Sequence, residues 1–347
     1  MGIERTEYYA RQAAARKLAQ ERGFSALVTW SRGGSTQDHY ADVYYLTGFY
    51  THQPFIPDEP GRWRAHGHAA LVLSVDGPGT LLLDMTELQD PKPAADRVCF
   101  SEDLVESLIA TVAETVPPGT DVALVGGEAL AWRWGRELGA RIPEHRLVEA
   151  DDLAQELRLI KSAAELDLLR AAGEVGARAV DAAMEAAVPD ATEAEVAAAA
   201  IAEIVREGGA FYGLGLSSGP WAHTFSPSTP AAYSRRCLKA GDMIRLDLYG
   251  SIDGYLFDFG RSRVVGRSPT HEQQEILDAV RDSVHAGTEL LRPGETLGAV
   301  ARRCEEALGA SAYARRHGYQ GRRWAARGGT ASGSTGEHTG SSQPPPP

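Results

Sequence analysis

The chain has few cysteines and no long apolar run, and these two absences exclude several classes of protein. Its three cysteines, Cys99, Cys237 and Cys304, are odd in number and widely spaced. We therefore expect neither a disulfide framework nor a cysteine metal site, and a reducing cytoplasm fits them best. No apolar stretch of about 18 residues occurs, so no membrane span is expected. The polar N-terminal residues lack the apolar core of a signal peptide.

Acidic residues outnumber basic residues, and this balance indicates which partners the protein can bind. The chain has 35 Lys and Arg against 47 Asp and Glu, a formal net charge of -12. Nucleic acid and anionic membranes are therefore not expected as partners. Hydrophobic residues make up 43% and charged residues 24%, which is typical of a globular protein, and 347 residues are enough for two domains.

Strand-like and helix-like segments alternate over residues 1–150, which predicts an α/β domain. Helices are predicted over residues 7–22, 101–115 and 128–138, and strands over 25–30, 43–48, 69–74, 80–84 and 121–125. The strands at 69–74 and 80–84 are expected to form a hairpin through the turn-forming residues between them.

A second domain is predicted over residues 151–318, and it opens with helices. Capping boxes beginning at Ser162, Thr192 and Thr270 predict helices that run to about residues 187, 207 and 291. A further helix is predicted over 296–309. Residues 319–347 are rich in Gly, Ser and Pro with almost no aliphatic side chains, so this tail is expected to be disordered.

Two aspartates, Asp247 and Asp258, lie on the two arms of one predicted hairpin. Residues 243–249 and 255–259 alternate like strands, and residues 250–254 read as the loop. If Gly250 pairs with Tyr255, the two aspartates face each other with Cβ atoms roughly 5 Å apart. Like charges so close repel unless they share a proton or a cation, and a pair of divalent metals is the usual reason for the arrangement. The alternative is an exposed acidic hairpin, or salt bridges to Arg245 and Arg261.

Five segments carry a resemblance to a known family. They are Val43-Tyr-Tyr-Leu-Thr-Gly-Phe49, Leu157-Arg-Leu-Ile-Lys-Ser162, Pro189-Asp-Ala-Thr-Glu-Ala-Glu-Val196, Gly241-Asp-Met-Ile-Arg-Leu-Asp-Leu-Tyr-Gly250 with the following Asp258, and Leu291-Arg-Pro-Gly-Glu-Thr296. Over about residues 10–318 the chain resembles the creatinase/aminopeptidase P family, which includes proline-specific aminopeptidases and dipeptidases. The resemblance implies an α/β fold, with a creatinase-type N-terminal domain followed by an incomplete pita-bread (α+β) catalytic domain.

The resemblance also implies a site. The family holds two divalent ions with two aspartates, one histidine and two glutamates, and it assigns the aspartates to Asp247 and Asp258. Oxygen and imidazole ligands suit manganese, zinc, cobalt or iron, which activate a hydroxide that attacks the scissile carbonyl. His223 lies where the family often places a catalytic histidine that contacts the substrate, although Ser226 is nearer the usual spacing. A loop histidine without a role is the alternative for His223.

The remaining histidine and the two glutamates are expected after the helix that ends near Gly309, but the tail of residues 319–347 stands there instead. Codons that encode Gly329-Thr-Ala-Ser-Gly-Ser-Thr335 can be chosen so that a shifted frame reads His-Gly-Ile-Gly-Leu-Asp, which is the type of segment that the family has. We therefore expect the C-terminal part to be truncated or out of frame.

The sequence thus predicts a cytoplasmic, homodimeric metal-dependent hydrolase of the Xaa-Pro aminopeptidase or dipeptidase type. Its substrate is expected to be a small peptide or amide. One alternative is a non-catalytic remnant that dimerises or binds a ligand weakly. Another is a relative that hydrolyses a small modified amino acid or an osmolyte.

Overall fold

A computed structural model describes residues 2–32, 41–51, 67–84, 92–142, 145–228 and 230–317. The chain divides into two compact units, residues 1–261 and 262–347. The tail at residues 319–347, with its expected disorder and frameshift, lies outside the described residues. The domain boundaries near residues 150 and 318 remain predictions.

A mixed six-stranded sheet organises the first 160 residues. The elements in chain order are α1 (Arg5–Glu21), β1 (Ala26–Arg32), α2 (Ala41–Thr47), β2 (His68–Ser74), β3 (Gly79–Leu83), β4 (Arg97–Phe100), α3 (Leu104–Thr115), β5 (Asp121–Val125), α4 (Trp132–Arg141), β6 (Arg146–Glu149) and α5 (Asp151–Leu159). The strand order is β4-β3-β2-β1-β5-β6. The β1–β2 and β2–β3 pairs are antiparallel, which confirms the predicted hairpin, and the β1–β5, β3–β4 and β5–β6 pairs are parallel.

Alternation along the strands divides the core into two apolar clusters, one on each face of this sheet. Leu27 of β1 packs with residues of α1, α2 and α5, whereas Val28 and Trp30 pack with residues of α3 and α4. Each fully buried Leu or Val contributes about 1.5–3 kcal/mol to folding. Burial on both faces therefore stabilises a helix–sheet–helix sandwich, in agreement with the predicted α/β class.

The strand predicted at residues 43–48 is wrong, because α2 occupies this position. Val43, Leu46 and Thr47 are buried at helical spacing, and the Thr47 hydroxyl donates to the carbonyl oxygen of Val43 at 2.7 Å. β-branched and aromatic residues favour strands only weakly, so packing of this face onto the core decides the conformation. The helix predicted at 128–138 is confirmed as α4 but begins later, at Trp132, after a 3-10 turn at Gly127–Ala129.

Two helices and a three-stranded sheet follow. They are α6 (Ala163–Ala186), α7 (Glu193–Arg206), β7 (Ala210–Ser218), β8 (Met243–Ile252) and β9 (Tyr255–Val264), with strand order β7-β8-β9. The capping boxes at Ser162 and Thr192 are both present, so these helix starts are confirmed. Helix α6 packs against α7 and β8, and α7 packs against β7. These helices cover one face of the sheet.

A buried charged cluster joins α1 to the start of α6 and to the turn end of the β8–β9 hairpin. The Arg11 side chain, only 6% exposed, lies 2.5 Å from Glu7 and 3.5 Å from Glu165. Burial raises the pKa of Tyr255, so its hydroxyl stays protonated and donates to Glu165 Oε1 at 3.1 Å. The hairpin is therefore attached at its turn to the N-terminal helix.

The second unit contains α8 (His271–Leu290), α9 (Leu297–Gly309) and α10 (Ala312–His317). The capping box at Thr270 starts α8 as predicted. Helices α8 and α9 approach closely at Gly287, where an added Cβ would lie 2.2 Å from Cys304 Sγ. Within the described ranges, no helix combines the length and the apolar character that crossing a membrane requires.

Candidate active site

The turn between β8 and β9 differs from the prediction and changes the pairing of the hairpin. Only Asp253 and Gly254 lie between the two strands, and their φ angles are 45° and 83°. Positive φ at both positions is the type I′ turn that an Asp-Gly pair favours. The predicted loop at 250–254 is therefore wrong, because β8 continues to Ile252.

Counting from this two-residue turn places Gly260 opposite Asp247, and Tyr249 opposite Asp258. An added Cβ on Gly260 would lie 3.6 Å from Asp247 Oδ1, which agrees with this register. The predicted direct facing of Asp247 and Asp258 is thus wrong, and the two are diagonal neighbours on the same face of the hairpin. Diagonal neighbours are farther apart than directly facing residues, at roughly 7–8 Å between Cα atoms.

The two carboxylates interact in spite of the shifted register. Partial desolvation, followed by the charge of Asp247 and a hydrogen bond to it, raises the pKa of Asp258 above its usual range. Asp258 is exposed and Asp247 is half-buried, so a small ligand can reach both. A shared proton or a cation would relieve the repulsion between them.

The face that carries the aspartates is open and the other face is not. Ile244, Leu246 and Leu248 of β8 are completely buried, whereas Arg245 and Asp247 alternate with them. In the β7–β8 register Gly215 lies opposite Asp247, and Gly260 lies opposite it on β9. Because glycine has no side chain, the strand is bare on the Gly260 side of Asp247, whereas the Phe225 ring packs where Gly215 leaves space.

The alternative of salt bridges from the aspartates to Arg245 and Arg261 is wrong for the described part of the chain. Neither arginine has a carboxylate partner there. The Arg245 guanidinium lies 5.6 Å from the centre of the Phe225 ring. Arg261 donates to the carbonyl oxygen of Gly260 at 2.8 Å and lies 5.6 Å from the centre of the Phe259 ring.

His223 is exposed in the loop that follows β7. Its Nδ1 lies 3.0 Å from the carbonyl oxygen of Pro220. The loop then returns to β7, since the hydroxyl oxygens of Ser217 and Thr224 are 3.1 Å apart and an added Cβ on Gly215 would lie 2.8 Å from the Phe225 ring. His223 therefore belongs to a loop that folds back beside Asp247. Its catalytic role remains a prediction.

A buried carboxylate that the sequence did not single out anchors this loop. Glu193, 3% exposed, accepts hydrogen bonds from the Ser218 hydroxyl at 2.6 Å and from the backbone N–H of Ser234 at 2.9 Å. These two residues bracket the loop, so Glu193 ties together its beginning and its end. A glutamate in the first turn of a helix is expected to interact favourably with the helix dipole. The local sequence therefore does not identify Glu193 as a loop anchor.

Asp247 and Asp258 are the residues expected to contribute to a divalent metal site, and this role remains a prediction. Carboxylate oxygens suit hard and borderline divalent ions, so the chemistry of this pair fits the expected metals. Among the residues that the structure describes, no group of three or more His, Cys, Asp or Glu side chains is arranged to hold a metal. The described residues thus include the two expected aspartate ligands, without a third candidate ligand close enough to complete a site.

Two family models match the chain. Metallopeptidase family M24 matches residues 167–338, which extends beyond the last described residue, and the Creatinase/Prolidase N-terminal domain matches residues 11–160. Together they cover both predicted domains.

Individual relatives agree with these matches. The chain is 35% identical over 153 residues to the probable dipeptidase PepE of Mycobacterium bovis, covering 43% of this chain and 39% of that protein. It is 31% identical over 149 residues to the Xaa-Pro dipeptidase of Pyrococcus furiosus, covering 42% and 41%. The chain thus spans about two fifths of the length of these curated relatives.

A solved structure extends the similarity over most of the fold. The crystal structure of dipeptidase PepE from Mycobacterium ulcerans superimposes with a TM-score of 0.69 at 25% identity, covering 89% of this chain and 78% of that one. The chain therefore belongs to the creatinase/aminopeptidase P family of M24 metallopeptidases, a family of hydrolases, and has the creatinase-type N-terminal domain followed by the pita-bread domain.

Proposed function

We propose that the protein is a metal-dependent hydrolase of the Xaa-Pro dipeptidase or aminopeptidase type. The observation that carries the proposal is the interacting Asp247–Asp258 pair on the open face of the hairpin. Its relatives include a protein named Xaa-Pro dipeptidase and one named probable dipeptidase, which supports a small peptide or amide substrate.

In this proposal Asp247 and Asp258 hold two divalent ions of manganese, zinc, cobalt or iron. Such ions, when bound, polarise a carbonyl and lower the pKa of water so that hydroxide forms at neutral pH. The bare surface at Gly260 leaves space for the substrate beside Asp247, and His223 contacts the substrate from the loop beside β7.

Metal content tests this proposal. The purified chain is equilibrated with manganese, freed of excess metal by gel filtration and analysed by mass spectrometry. We expect at least about one tightly bound ion per protomer, and a loss of roughly tenfold or more in affinity for Asp247→Asn and Asp258→Asn. Asp253→Asn is the matched control, since Asp253 lies in the turn of the same hairpin. Wild-type protein with less than one tightly bound ion contradicts the enzyme proposal.

A non-catalytic family member is the second candidate, and the absence of a third metal ligand from the described residues favours it. It predicts a folded chain with neither tight metal binding nor hydrolysis of an Xaa-Pro dipeptide such as Ala-Pro. Release of proline from Ala-Pro, abolished in Asp247→Asn and retained in Asp253→Asn, excludes this candidate.

We also propose a cytoplasmic homodimer. Three free cysteines fit a reducing compartment. Leu159 and Ile160 are 74% and 84% exposed, and adjacent exposed aliphatic side chains are common where a second copy binds. A monomeric mass in sedimentation equilibrium contradicts the dimer.

A further inference from the structure

Arg245 is a cation on the face that carries the aspartates. It lies two residues before Asp247 on β8, so alternation puts both side chains on the same side of the sheet. Within the ranges that the structure describes, Arg245 has no carboxylate partner, although Asp247 and Asp258 lie on the same face of the hairpin. A guanidinium retains its charge at any physiological pH, so it offers a permanent positive group beside the pair.

Aromatic contact restrains this arginine. The guanidinium carbon lies 5.6 Å from the centre of the Phe225 ring, within the range of a cation–π interaction. Phe225 in turn packs where Gly215 leaves space, because an added Cβ on Gly215 would come within 2.8 Å of the ring. One residue before Phe225, the hydroxyl oxygen of Thr224 lies 3.1 Å from that of Ser217, and this contact holds the loop against β7. The arginine is thus positioned by a ring whose own location is set by the β7 strand.

The chemistry of a guanidinium in this position points to a carboxylate ligand. Its planar N–H groups match the two oxygens of a carboxylate and bind them in a bidentate manner. Two residues along a strand separate the Cα atoms of Arg245 and Asp247 by roughly 6.7 Å. The cation–π contact with Phe225 offers no hydrogen-bond acceptor to these N–H groups, whereas a bound carboxylate accepts from them and uses the restrained orientation.

Distance also selects the length of the peptide. In a dipeptide the terminal carboxylate carbon lies roughly 3–4 Å from the scissile carbonyl carbon, and each additional residue moves it away by up to about 3.6 Å. A cation two residues from Asp247 therefore lies within reach of the carboxylate of a dipeptide whose scissile bond is at the aspartate pair.

We propose that Arg245, oriented by Phe225, binds the terminal carboxylate of a dipeptide substrate and makes the site selective for dipeptides. This inference rests on the proposed function, because it places the scissile bond at Asp247 and Asp258. Arg245 is a specificity-determining residue in this assignment, and the ligand that it recognises is a free α-carboxylate.

Calorimetric titration of the full chain with L-proline and L-prolinamide tests the inference, with and without saturating manganese. The two probes differ only in the carboxylate. We expect wild-type protein to bind proline about tenfold or more tightly than prolinamide, as for a charge-assisted bidentate pair. The ratio should fall to about one in Arg245→Met, and Arg245→Lys should be intermediate because a lysine lacks the planar fork.

Arg261→Met is the matched control. Arg261 is also an arginine on this hairpin whose guanidinium lies 5.6 Å from a phenylalanine ring, but strand alternation puts it on the face opposite to Asp258. It should keep the wild-type ratio. Circular dichroism of each variant verifies folding.

The outcomes separate this inference from the proposed function. An unchanged ratio in Arg245→Met, or wild-type protein that binds neither probe, overturns the carboxylate subsite, even if the protein binds metal and hydrolyses Ala-Pro. Conversely, a chain without metal binding or hydrolysis that still prefers proline through Arg245 retains the subsite and refutes the enzyme proposal. Where hydrolysis is observed, Arg245→Met should raise KM for Ala-Pro and leave KM for Ala-Pro-amide unchanged.

Discussion

In the metal-free hairpin, the ionised form of the Asp258 carboxylate is disfavoured. Its folded pKa lies above the value in the unfolded chain, so the proton binds more tightly to the folded state. The resulting stabilisation is complete below the unfolded pKa, near 4, and is lost as the pH rises through the folded pKa. At neutral pH the metal-free protein therefore carries a repulsion that a neutral side chain would remove.

Asp258→Asn should consequently stabilise the metal-free protein by about 0.5 kcal/mol at neutral pH, as expected for removal of a cross-strand like-charge pair. The gain should shrink below about pH 4, where aspartate is itself protonated. Urea denaturation of both proteins in chelator at the two pH values measures it. Asp253→Asn should show no such pH-dependent gain, and a destabilised Asp258→Asn protein at neutral pH would contradict the argument.

Two glycines of helix α6 differ in how closely neighbouring side chains approach them. Gly176 faces β9, where an added Cβ would lie 2.7 Å from the Phe259 ring, whereas nothing lies within 4 Å of an added Cβ on Gly173. Helix α6 and strand β9 thus approach closely at Gly176. This contact holds the strand that carries Asp258 against the helix.

Gly176→Ala should destabilise the protein by about 1–3 kcal/mol through overpacking. Gly173→Ala, in the same helix, should stabilise it by about 0.5–1 kcal/mol because alanine loses less backbone entropy than glycine. Both changes are read from denaturant midpoints. Equal effects of the two substitutions would show that close packing at Gly176 is not what limits this position.

The helices and strands differ in how well the local sequence predicts them. Helices α6, α7 and α8 begin where capping boxes predict, because the cap and its glutamate or glutamine partner are only three residues apart. In α2 the local preference for a strand loses to burial of Val43 and Leu46 against the core. The hairpin register was also missed, because loops of two and of four residues are both compatible with residues 250–255.

At the scale of the whole molecule, Arg11 connects the N-terminal helix to the part of the chain that carries the aspartates. Its guanidinium contacts Glu7, Glu165 and the hydroxyl of Tyr255, and it donates to the carbonyl oxygen of Tyr45 at 3.0 Å. These partners lie far apart in sequence. Removal of the arginine would leave two acidic side chains without their buried cation.

Arg11→Met should therefore destabilise the protein by about 3 kcal/mol, as for a broken buried ion pair. Arg5→Met is the control in the same helix, since Arg5 is exposed and contacts Tyr9 at the surface, and it should change stability by less than about 0.5 kcal/mol. Urea denaturation compares the two variants. Similar midpoints for Arg11→Met and wild type would show that the cluster is not a stabilising connection.

The amino-acid sequence by itself determined the family, the α/β class, most helix starts and the identity of the aspartate pair. These depend on residues that are close in the chain, or on motifs that are recognisable without coordinates. The two-residue turn and the diagonal placement of Asp247 and Asp258 are visible only in the tertiary structure. The same holds for the environment of Arg245, which has no carboxylate partner among the residues that the structure describes. Strand register and charge pairing depend on residues brought together from distant positions, and local preferences cannot determine which of them meet.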